Sequence, residues 1–352
     1  MYSFMNDYSE GAHPEIMKEL LKTNEEQSGG YGMDIYTERA VEVLKEYLND
    51  DKVDIHFLTG GTQTNLVAIS AFLRPHEAVI AAETGHIAVH ETGAIEATGH
   101  KVITKKTIDG KLNVALIHKC SIMHTDEHMV KPKLVYISNP TEVGTIYSKQ
   151  EISEIYEYCQ AQHLFLYIDG ARLGSALMAK DNDMLLVDYP KHCDAFYIGG
   201  TKMGALFGEA LVICNPNLKE DFRFMMKQKG ALLAKGRILG IQFESLFKKK
   251  LYFEIGKHEN EMADMLRLGI SKLGYTFLYD SPSNQLFPVF NNDVIEMLSS
   301  KFLFLVWEKI NETHSAVRLV TSWATTQEMV EKFLLELANF TDANDIEVYE
   351  NE

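Results

Sequence analysis

Short apolar segments alternate with helix-length segments between residues 53 and 215, and this alternation limits the folds that the chain can adopt. The apolar segments resemble strands and lie at residues 53–58, 78–82, 101–104, 134–138, 164–168, 195–198 and 210–214. Strands that are apolar on both faces are buried on both sides, and strands joined through helices run parallel. The pattern therefore predicts an α/β fold with a mostly parallel seven-stranded sheet.

The segments between and beyond these strands have the hydrophobic spacing of helices. They lie at residues 62–73, 87–98, 149–163, 221–247, 253–273 and 327–340. Beyond residue 218, two further strand-like segments occupy residues 285–290 and 316–322. We expect a large α/β domain of residues 11–247 and a smaller α+β domain of residues 248–352 completed by residues 1–10. The acidic tail from Thr341 is expected to fray.

The overall charge excludes some classes of partner. The formal net charge is −16, and acidic and basic residues are interleaved along the chain, which disfavours binding to nucleic acid or to an anionic membrane. The longest apolar runs are too short to span a bilayer. The N-terminus lacks the profile of a secretory signal, and the four cysteines form no CxxC pair. We therefore expect a cytoplasmic protein with reduced thiols.

The residues just after each strand are the informative ones, because ligands bind at the carboxyl ends of the strands in such sheets. Gly60, Gly61 and Thr62 follow the first strand and precede a helix. Free N–H groups and hydroxyls at that point form a cradle for a phosphate, and the alternative interpretation is an ordinary N-capped turn. The pattern is neither a P-loop nor the dinucleotide-binding GxGxxG motif.

Three charged residues lie in or after apolar strands. Asp169 ends a buried strand and needs a partner, either Arg172 or the protonated ring nitrogen of a cofactor. Lys202 is the only charged residue from 195 to 208. Desolvation lowers the pKa of a lysine, as an imine-forming amine requires, although most loop lysines simply extend into solvent. Arg318 pairs either with a protein carboxylate or with a substrate carboxylate.

Taken in order, the motifs resemble those of the threonine aldolase and β-eliminating lyase family. This family uses pyridoxal phosphate (PLP) and has the aspartate-aminotransferase-type fold, also called the PLP-dependent transferase-like fold (fold type I). The matching segments are Asn6-Asp7, YGMDIY at 31–36, GGTQTN at 60–65, ETGH at 83–86, ETG at 91–93, DGAR at 169–172, GTK at 200–202 and RLVTS at 318–322. Each motif is short, but the ordered set covers nearly the whole chain.

The resemblance implies a role for each matching residue. Lys202 would hold PLP as a Schiff base, Asp169 would keep the pyridine nitrogen protonated, and His86 would stack on the ring. The implied catalytic residues are therefore Lys202, His86 and Asp169. The implied cofactor-binding residues are Gly61, Thr62, His86, Asp169, Arg172 and Lys202. The implied substrate-binding residues are Asn6, Thr141, Arg172 and Arg318.

The implied reaction is retro-aldol cleavage of the Cα–Cβ bond in L-threonine or L-allo-threonine, which gives glycine and acetaldehyde. One departure affects the base that removes the β-hydroxyl proton. Many family members carry a histidine after the strand at 134–138, where this chain has Thr141 and Glu142. The base is then His86, Glu142 or a bound water, and we favour His86.

The resemblance also implies a homodimer or homotetramer with the site at a subunit interface and a small amino acid as substrate. Alternatives that keep the cofactor are β-elimination, transamination, and aldol cleavage of a phenylserine-type substrate. A non-catalytic binding protein with the same fold is a further alternative. His118, His124 and His128 have the residue type of a metal-dependent hydrolase, but their spacing does not form a metal motif and we expect no metal.

Overall fold

The computed structural model describes residues 1–350, with side chains described for residues 1–340. Its strands are β1 (Tyr2–Ser3), β2 (Asp54–Leu58), β3 (Glu77–Ala82), β4 (Val102–Lys105), β5 (Lys131–Ser138), β6 (Phe165–Asp169), β7 (Ala195–Gly199), β8 (Glu209–Ile213), β9 (Gln285–Leu286), β10 (Val289–Asn291), β11 (Phe302–Leu303), β12 (Leu305–Lys309) and β13 (His314–Val320). Its helices are α1 (Pro14–Lys22), α2 (Ile35–Leu48), α3 (Gly61–Phe72), α4 (His86–Val89), α5 (Val114–Ile122), α6 (Lys149–Ala161), α7 (Leu173–Leu177), α8 (Phe222–Gln228), α9 (Arg237–Lys248), α10 (Leu251–Lys272), α11 (Asn292–Ser299) and α12 (Gln327–Glu350).

Seven strands form one large sheet in the order β2-β8-β7-β6-β5-β3-β4. The pairs among β3, β4, β5, β6 and β7 are parallel, whereas β8 runs antiparallel to its neighbours β2 and β7. All seven strands predicted for this region are present, and the predicted α/β fold with a mostly parallel seven-stranded sheet is confirmed. Because β8 runs in the opposite direction, its first residue lies beside the carboxyl ends of the other strands.

Two predicted helices are interrupted. The segment predicted at 87–98 contains only α4 and a 3₁₀ turn, Glu96–Thr98, because Thr92 and Gly93 adopt positive φ angles of 53° and 71°. The segment predicted at 221–247 divides into α8 and α9 around Gly230, whose φ is 71°. A left-handed residue ends an α-helix even where the apolar spacing continues.

The core follows the alternation of side chains along each strand. In β6, Leu166 and Ile168 pack into one apolar cluster, while Tyr167 packs into a second cluster on the other side of the sheet. A third cluster joins α10, α11, α12 and the later strands, and it includes Phe4 from the N-terminus. No helix among the described residues is long and apolar enough to cross a bilayer.

We propose that residues 1–10 belong to the small domain, together with residues 248–352, and that residues 11–247 form the large one. Pairing supports this division, because β1 lies parallel to β11 and the N–H of Val320 donates to the carbonyl of Phe4 at 2.8 Å. The expectation that the tail frays from Thr341 concerns residues outside those whose side chains are described.

Glycines bring the ends of β6 and β7 together. A Cβ on Gly170 would lie 2.0 Å from the carbonyl oxygen of Tyr197, and one on Gly199 would lie 2.3 Å from that of Ala171. No side chain fits either space. The close approach places the residue that ends β6, Asp169, beside the turn that follows β7.

Replacing Phe4 with alanine tests the proposed role of the N-terminal segment. Phe4 is fully buried and its ring lies 5.5 Å from that of Phe333. Because Phe→Ala substitutions in a core cost about 3–5 kcal/mol, we expect Phe4→Ala to lower the free energy of unfolding by that amount in urea titrations. Met5→Ala is the control, since Met5 is exposed. Equal stability of the two variants would contradict the assignment.

Candidate active site

A cavity of about 640 Å³ opens at the carboxyl ends of the parallel strands of the large sheet. The small domain contributes part of its wall through Gln285, Leu305 and Arg318. Eight of the predicted site residues line this cavity: Gly61, Thr62, His86, Thr141, Asp169, Arg172, Lys202 and Arg318. The fold thus brings together residues that the sequence distributes over most of the chain.

Lys202 lies on a tight turn between β7 and β8. The N–H groups of Gly200 and Thr201 both donate to the carbonyl of Gly208, at 2.9 and 3.0 Å. Burial lowers the pKa of Lys202, and the positive charge of Arg172 lowers it further, against the opposing effect of nearby carboxylates. Among residues 1–340 no hydrogen bond or salt bridge engages its amine. The amine is therefore available to react with a carbonyl compound.

The start of α3 has the properties of an anion cradle rather than of a capped turn. Gly60 precedes the helix and no side chain caps its first turn, so the first N–H groups of α3 have no intrahelical or capping partner. Gly61 and Thr62 line the cavity. A Cβ on Gly60 would meet nothing within 4 Å, which leaves space for a bound group. The ordinary N-capped turn, the alternative interpretation, is therefore not what forms.

Asp169 is buried and receives hydrogen bonds from four donors. Asn65 Nδ2 donates at 3.1 Å, the N–H of Ala171 at 3.0 Å, and the hydroxyls of Tyr136 and Tyr197 complete the set. Arg172, one of the two partners that the sequence allows for Asp169, pairs with Asp7 instead. These donors come from α3, β5, β7 and the turn after β6, so the carboxylate is held in one orientation.

His86 is positioned by a chain of hydrogen bonds that begins at Asp169. Asn65 Nδ2 also donates to Glu91 Oε1 at 2.7 Å, and the same Glu91 oxygen lies 2.8 Å from His86 Nδ1. The hydroxyl of Tyr167 donates to Asn65 Oδ1 at 3.0 Å. Because His86 Nδ1 is bound to a carboxylate, the opposite ring nitrogen, Nε2, is the one left for a ligand.

Arg172 is engaged in an ion pair with Asp7. Its Nε and Nη2 donate to the two carboxylate oxygens of Asp7 at 2.6 and 3.1 Å, and Asn284 Nδ2 adds a third donor at 3.0 Å. The Arg172 guanidinium holds the pKa of Asp7 below its usual range despite complete burial. The expected grip of Arg172 on a substrate carboxylate is therefore reduced to the N–H groups that Asp7 leaves free.

Arg318 has no carboxylate partner among residues 1–340. Its Nε is buried without an acceptor, Nη2 reaches the carbonyl of Met5 only at 3.4 Å, and the guanidinium lies 5.4 Å from the centroid of the Trp307 ring. Burial lowers its pKa, and repulsion by Arg172 adds to the effect. An arginine with unused donors in a cavity is suited to binding a carboxylate from solution.

Two of the predicted substrate-binding side chains, Asn6 and Thr141, are engaged in hydrogen bonds of their own. Asn6 does not line the cavity, because its Oδ1 accepts from the N–H of Tyr8 at 2.9 Å and from Ser9 Oγ at 3.0 Å in a local turn. Tyr8 reaches the cavity instead. Thr141 does line the cavity, but its hydroxyl is bound to that of Thr145 at 2.7 Å.

Several residues of the site had no role in the sequence prediction, among them Asn65, Glu91, Tyr197 and Glu209. Asn65 and Glu91 lay within matching motifs but had no role assigned to them, and Tyr197 was counted as an apolar strand residue. Glu209 offered a signal, since it is an acidic residue at the first position of an apolar strand. A charge at such a position is costly without partners and therefore indicates a function or a network.

A family model described as "Beta-eliminating lyase" matches residues 6–292 of the chain. The chain belongs to the β-eliminating lyase family. Membership confirms the resemblance seen in the motifs and makes the protein an enzyme of the lyase class.

This β-eliminating lyase family member is similar over nearly its whole length to threonine aldolases. The low specificity L-threonine aldolase of Pseudomonas sp. (strain NCIMB 10558) is 29% identical over 338 residues, covering 95% of this chain and 96% of the relative. A solved structure of Leishmania major threonine aldolase has 49% sequence identity and a TM-score of 0.96, and it covers 97% of this chain and 100% of that chain. Both proteins are named threonine aldolases.

A more distant structure confirms the fold alone. The aromatic aminotransferase from Pyrococcus horikoshii OT3 has a TM-score of 0.72 at 16% identity, covering 98% of this chain and 96% of that chain. The aspartate-aminotransferase-type fold expected from the motifs is therefore confirmed, whereas a shared fold does not by itself determine the chemistry.

Proposed function

We propose that this chain is a PLP-dependent aldolase that cleaves L-threonine and L-allo-threonine to glycine and acetaldehyde. The observation that carries the proposal is one cavity that contains the free amine of Lys202, the carboxylate of Asp169, the uncapped start of α3 and the unpaired Arg318. The names of the two similar proteins support the same substrate class.

The residues of the cavity fit PLP. Lys202 offers an amine of lowered pKa for the aldehyde, and the free N–H groups at Gly61 and Thr62 suit a phosphate. A pyridine N–H would bind Asp169 in competition with the hydroxyls of Tyr136 and Tyr197. Bound PLP supplies an electron sink for the pair that Cα–Cβ cleavage leaves on Cα.

Arg318 would bind the substrate carboxylate, because its donors are unused and the ion pair with Asp7 occupies much of Arg172. A carboxylate held at one point limits the orientations of the Cα substituents, and that orientation determines which bond breaks. His86 would pack against the cofactor ring, since the bond of Nδ1 to Glu91 fixes its imidazole plane.

The geometry favours Glu142 over His86 as the base that removes the β-hydroxyl proton. Glu142 Oε1 is fixed by Ser138 Oγ at 2.7 Å and by the backbone N–H of His86 at 2.8 Å, which leaves Oε2 for the cavity that the residue lines. Burial raises the pKa of Glu142, and the negative charge of Asp169 adds to the increase. A carboxylate with a raised pKa is a stronger base.

The proposed step conserves atoms and electrons. The proton of the β-hydroxyl moves to Glu142 Oε2, the O–H electron pair forms the C=O bond of the aldehyde, and the Cα–Cβ bond breaks. The Cα–Cβ pair remains with Cα, which then takes up a proton and is released as glycine. Glu142 releases its proton to solvent before the next turnover, which balances the proton that Cα takes up.

We also propose a homodimer, or a homotetramer built from it, with the cavity at the subunit interface. Exposed apolar side chains lie at the cavity or next to it in the chain: Tyr8 and Leu305 line it and are 55% and 38% exposed, and Val89, which is 54% exposed, precedes the lining residue His90. Such a patch is typical of a protein interface. The four cysteines are free, which supports a cytoplasmic location.

The aldolase proposal predicts that PLP-loaded protein releases both glycine and acetaldehyde from L-threonine or L-allo-threonine. Lys202→Ala should release neither, because no other lysine lines the cavity among the described residues. Borohydride reduction followed by peptide mapping should find PLP on Lys202 in the wild type. Wild-type protein that binds PLP but yields no aldehyde from either substrate would refute the substrate, and PLP trapped at another lysine would refute the site.

Replacing Glu142 with glutamine tests the proposed base. The amide oxygen can still accept from Ser138 and His86, but it cannot take a proton. We expect kcat for threonine cleavage to fall by about 10²–10⁴-fold, while the exchange of glycine α-protons with deuterated solvent, which needs no hydroxyl base, continues. Glu83→Gln is the control, because Glu83 is an exposed glutamate nearby. Retained cleavage in Glu142→Gln would return the role to His86 or water.

The interface proposal predicts a mass of at least twice 39.9 kDa by light scattering. Because Val89 is exposed and precedes the cavity residue His90, Val89→Glu should shift the equilibrium toward monomer and lower the activity together, whereas Ile108→Glu, at a 96% exposed position, should change neither. A fully active monomer would contradict the shared site.

A further inference from the structure

Glu209 lies between the two parts of the site that would hold the cofactor. Because β8 is reversed, its first residue pairs with Leu58, just before the α3 cradle, and with Gly199, just before the Lys202 turn. Glu209 lines the cavity and its side chain is 4% exposed. The proposed reaction assigns it no role.

The carboxylate of Glu209 is hydrogen-bonded to the Lys202 turn. The N–H of Gly200 donates to Oε2 at 2.9 Å, and Thr201 Oγ1 donates to Oε1 at 2.8 Å. Thr201 Oγ1 in turn accepts from the N–H of Gly208 at 3.0 Å. While Glu209 is ionised, the one proton of the Thr201 hydroxyl is therefore directed at Glu209 and not at the cavity that Thr201 lines.

Burial raises the pKa of Glu209 to about 7, against the stabilising effect of its bonds to Thr201 and Gly200. The charged and titratable groups that face it come from three elements: Lys202 and Tyr197 from β7 and its turn, Asp169 and Tyr167 from β6, and Tyr252 from α10. Lys202 favours the ionised form, and Asp169 opposes it.

We propose that Glu209 and Thr201 form a proton-coupled switch that controls anion binding at the α3 cradle. When Glu209 is neutral, its O–H donates to Thr201 Oγ1, and the Thr201 hydroxyl is free to donate to a phosphate. When Glu209 is ionised, the Thr201 hydroxyl donates to its carboxylate, and a negative charge lies beside the cradle. This inference rests on the proposed use of the cradle for the PLP phosphate, and it makes Glu209 a positioning residue.

The sign of the pH dependence follows from linkage. A dianion prefers the form with neutral Glu209, so its binding is accompanied by uptake of a proton, and its affinity falls as pH rises through the pKa of Glu209. Sulfate is the suitable probe, because it remains a dianion near neutral pH, whereas a phosphate monoester itself titrates there.

Glu209→Gln should lock the switch in its anion-binding state. The amide Nε2 can donate to Thr201 Oγ1 as a protonated carboxyl would, and Oε1 can accept from Gly200. The control is Glu77→Gln, because Glu77 is also a buried glutamate at the first position of a strand. Since β3 runs parallel to its neighbours, Glu77 lies at the amino ends of the parallel strands, away from the cavity.

The experiment measures sulfate affinity in the apoprotein by displacement of 4′-deoxypyridoxine 5′-phosphate, a fluorescent analogue that lacks the aldehyde. We expect sulfate affinity in wild type and Glu77→Gln to fall about tenfold from about pH 6.5 to about pH 8.5. Glu209→Gln should keep the high affinity throughout. Calorimetry in two buffers near pH 7.5 should detect proton uptake on sulfate binding in the wild type and less of it in Glu209→Gln.

Wild-type affinity for sulfate that does not change with pH would overturn the switch, whatever the variant does. Equal pH dependence and proton uptake in wild type and Glu209→Gln would also overturn it. Neither result bears on whether threonine is cleaved, because sulfate binding requires no catalysis. The aldehyde assay therefore tests the proposed function separately.

Discussion

The carboxylate of Asp169 is the buried charge around which the cavity is assembled. At 3% exposure it would be strongly destabilising without compensation, and its donors come from Asn65, Tyr136, Tyr197 and the N–H of Ala171. Leaving one such buried group unsatisfied costs about 1–3 kcal/mol. The carboxylate therefore holds α3 and the ends of β5, β6 and β7 in one arrangement, and the rest of the site is built on that arrangement.

The charged groups of the cavity differ more in their interaction partners than in their residue type. Arg172 and Arg318 are both arginines at its wall, but Asp7 neutralises the first and leaves the second with unused donors. The carboxylates differ in the same way: Asp7 is stabilised by a guanidinium, whereas burial raises the pKa of both Glu142 and Glu209. Environments that separate the pKa values of like groups allow one site to contain anchors, bases and proton-coupled groups.

The large sheet was predictable because strands buried on both faces must be apolar throughout, and all seven predicted strands form. Helix boundaries were less predictable. The apolar spacing continued through 87–98 and 221–247, yet positive φ angles at Thr92, Gly93 and Gly230 end the helices there. Tertiary contacts accompany the interruption of the helix predicted at 87–98, because the carboxylate of Glu91 is hydrogen-bonded to Asn65 and His86. The split of one predicted strand into β9 and β10 occurs at Pro288, which has no N–H to donate.

The sequence by itself determined the fold class and singled out Lys202 and Asp169, at the strand ends, as candidate site residues, because a lone charge in an apolar segment stands out locally. Only the tertiary structure decided the pairing of Arg172 with Asp7, the removal of Asn6 from the cavity, and the position of Glu209 between the cradle and the lysine turn. Those outcomes depend on which distant groups meet once strands are ordered. Electrostatic and hydrogen-bonding partners are set by distance in space, and local sequence patterns do not contain that distance.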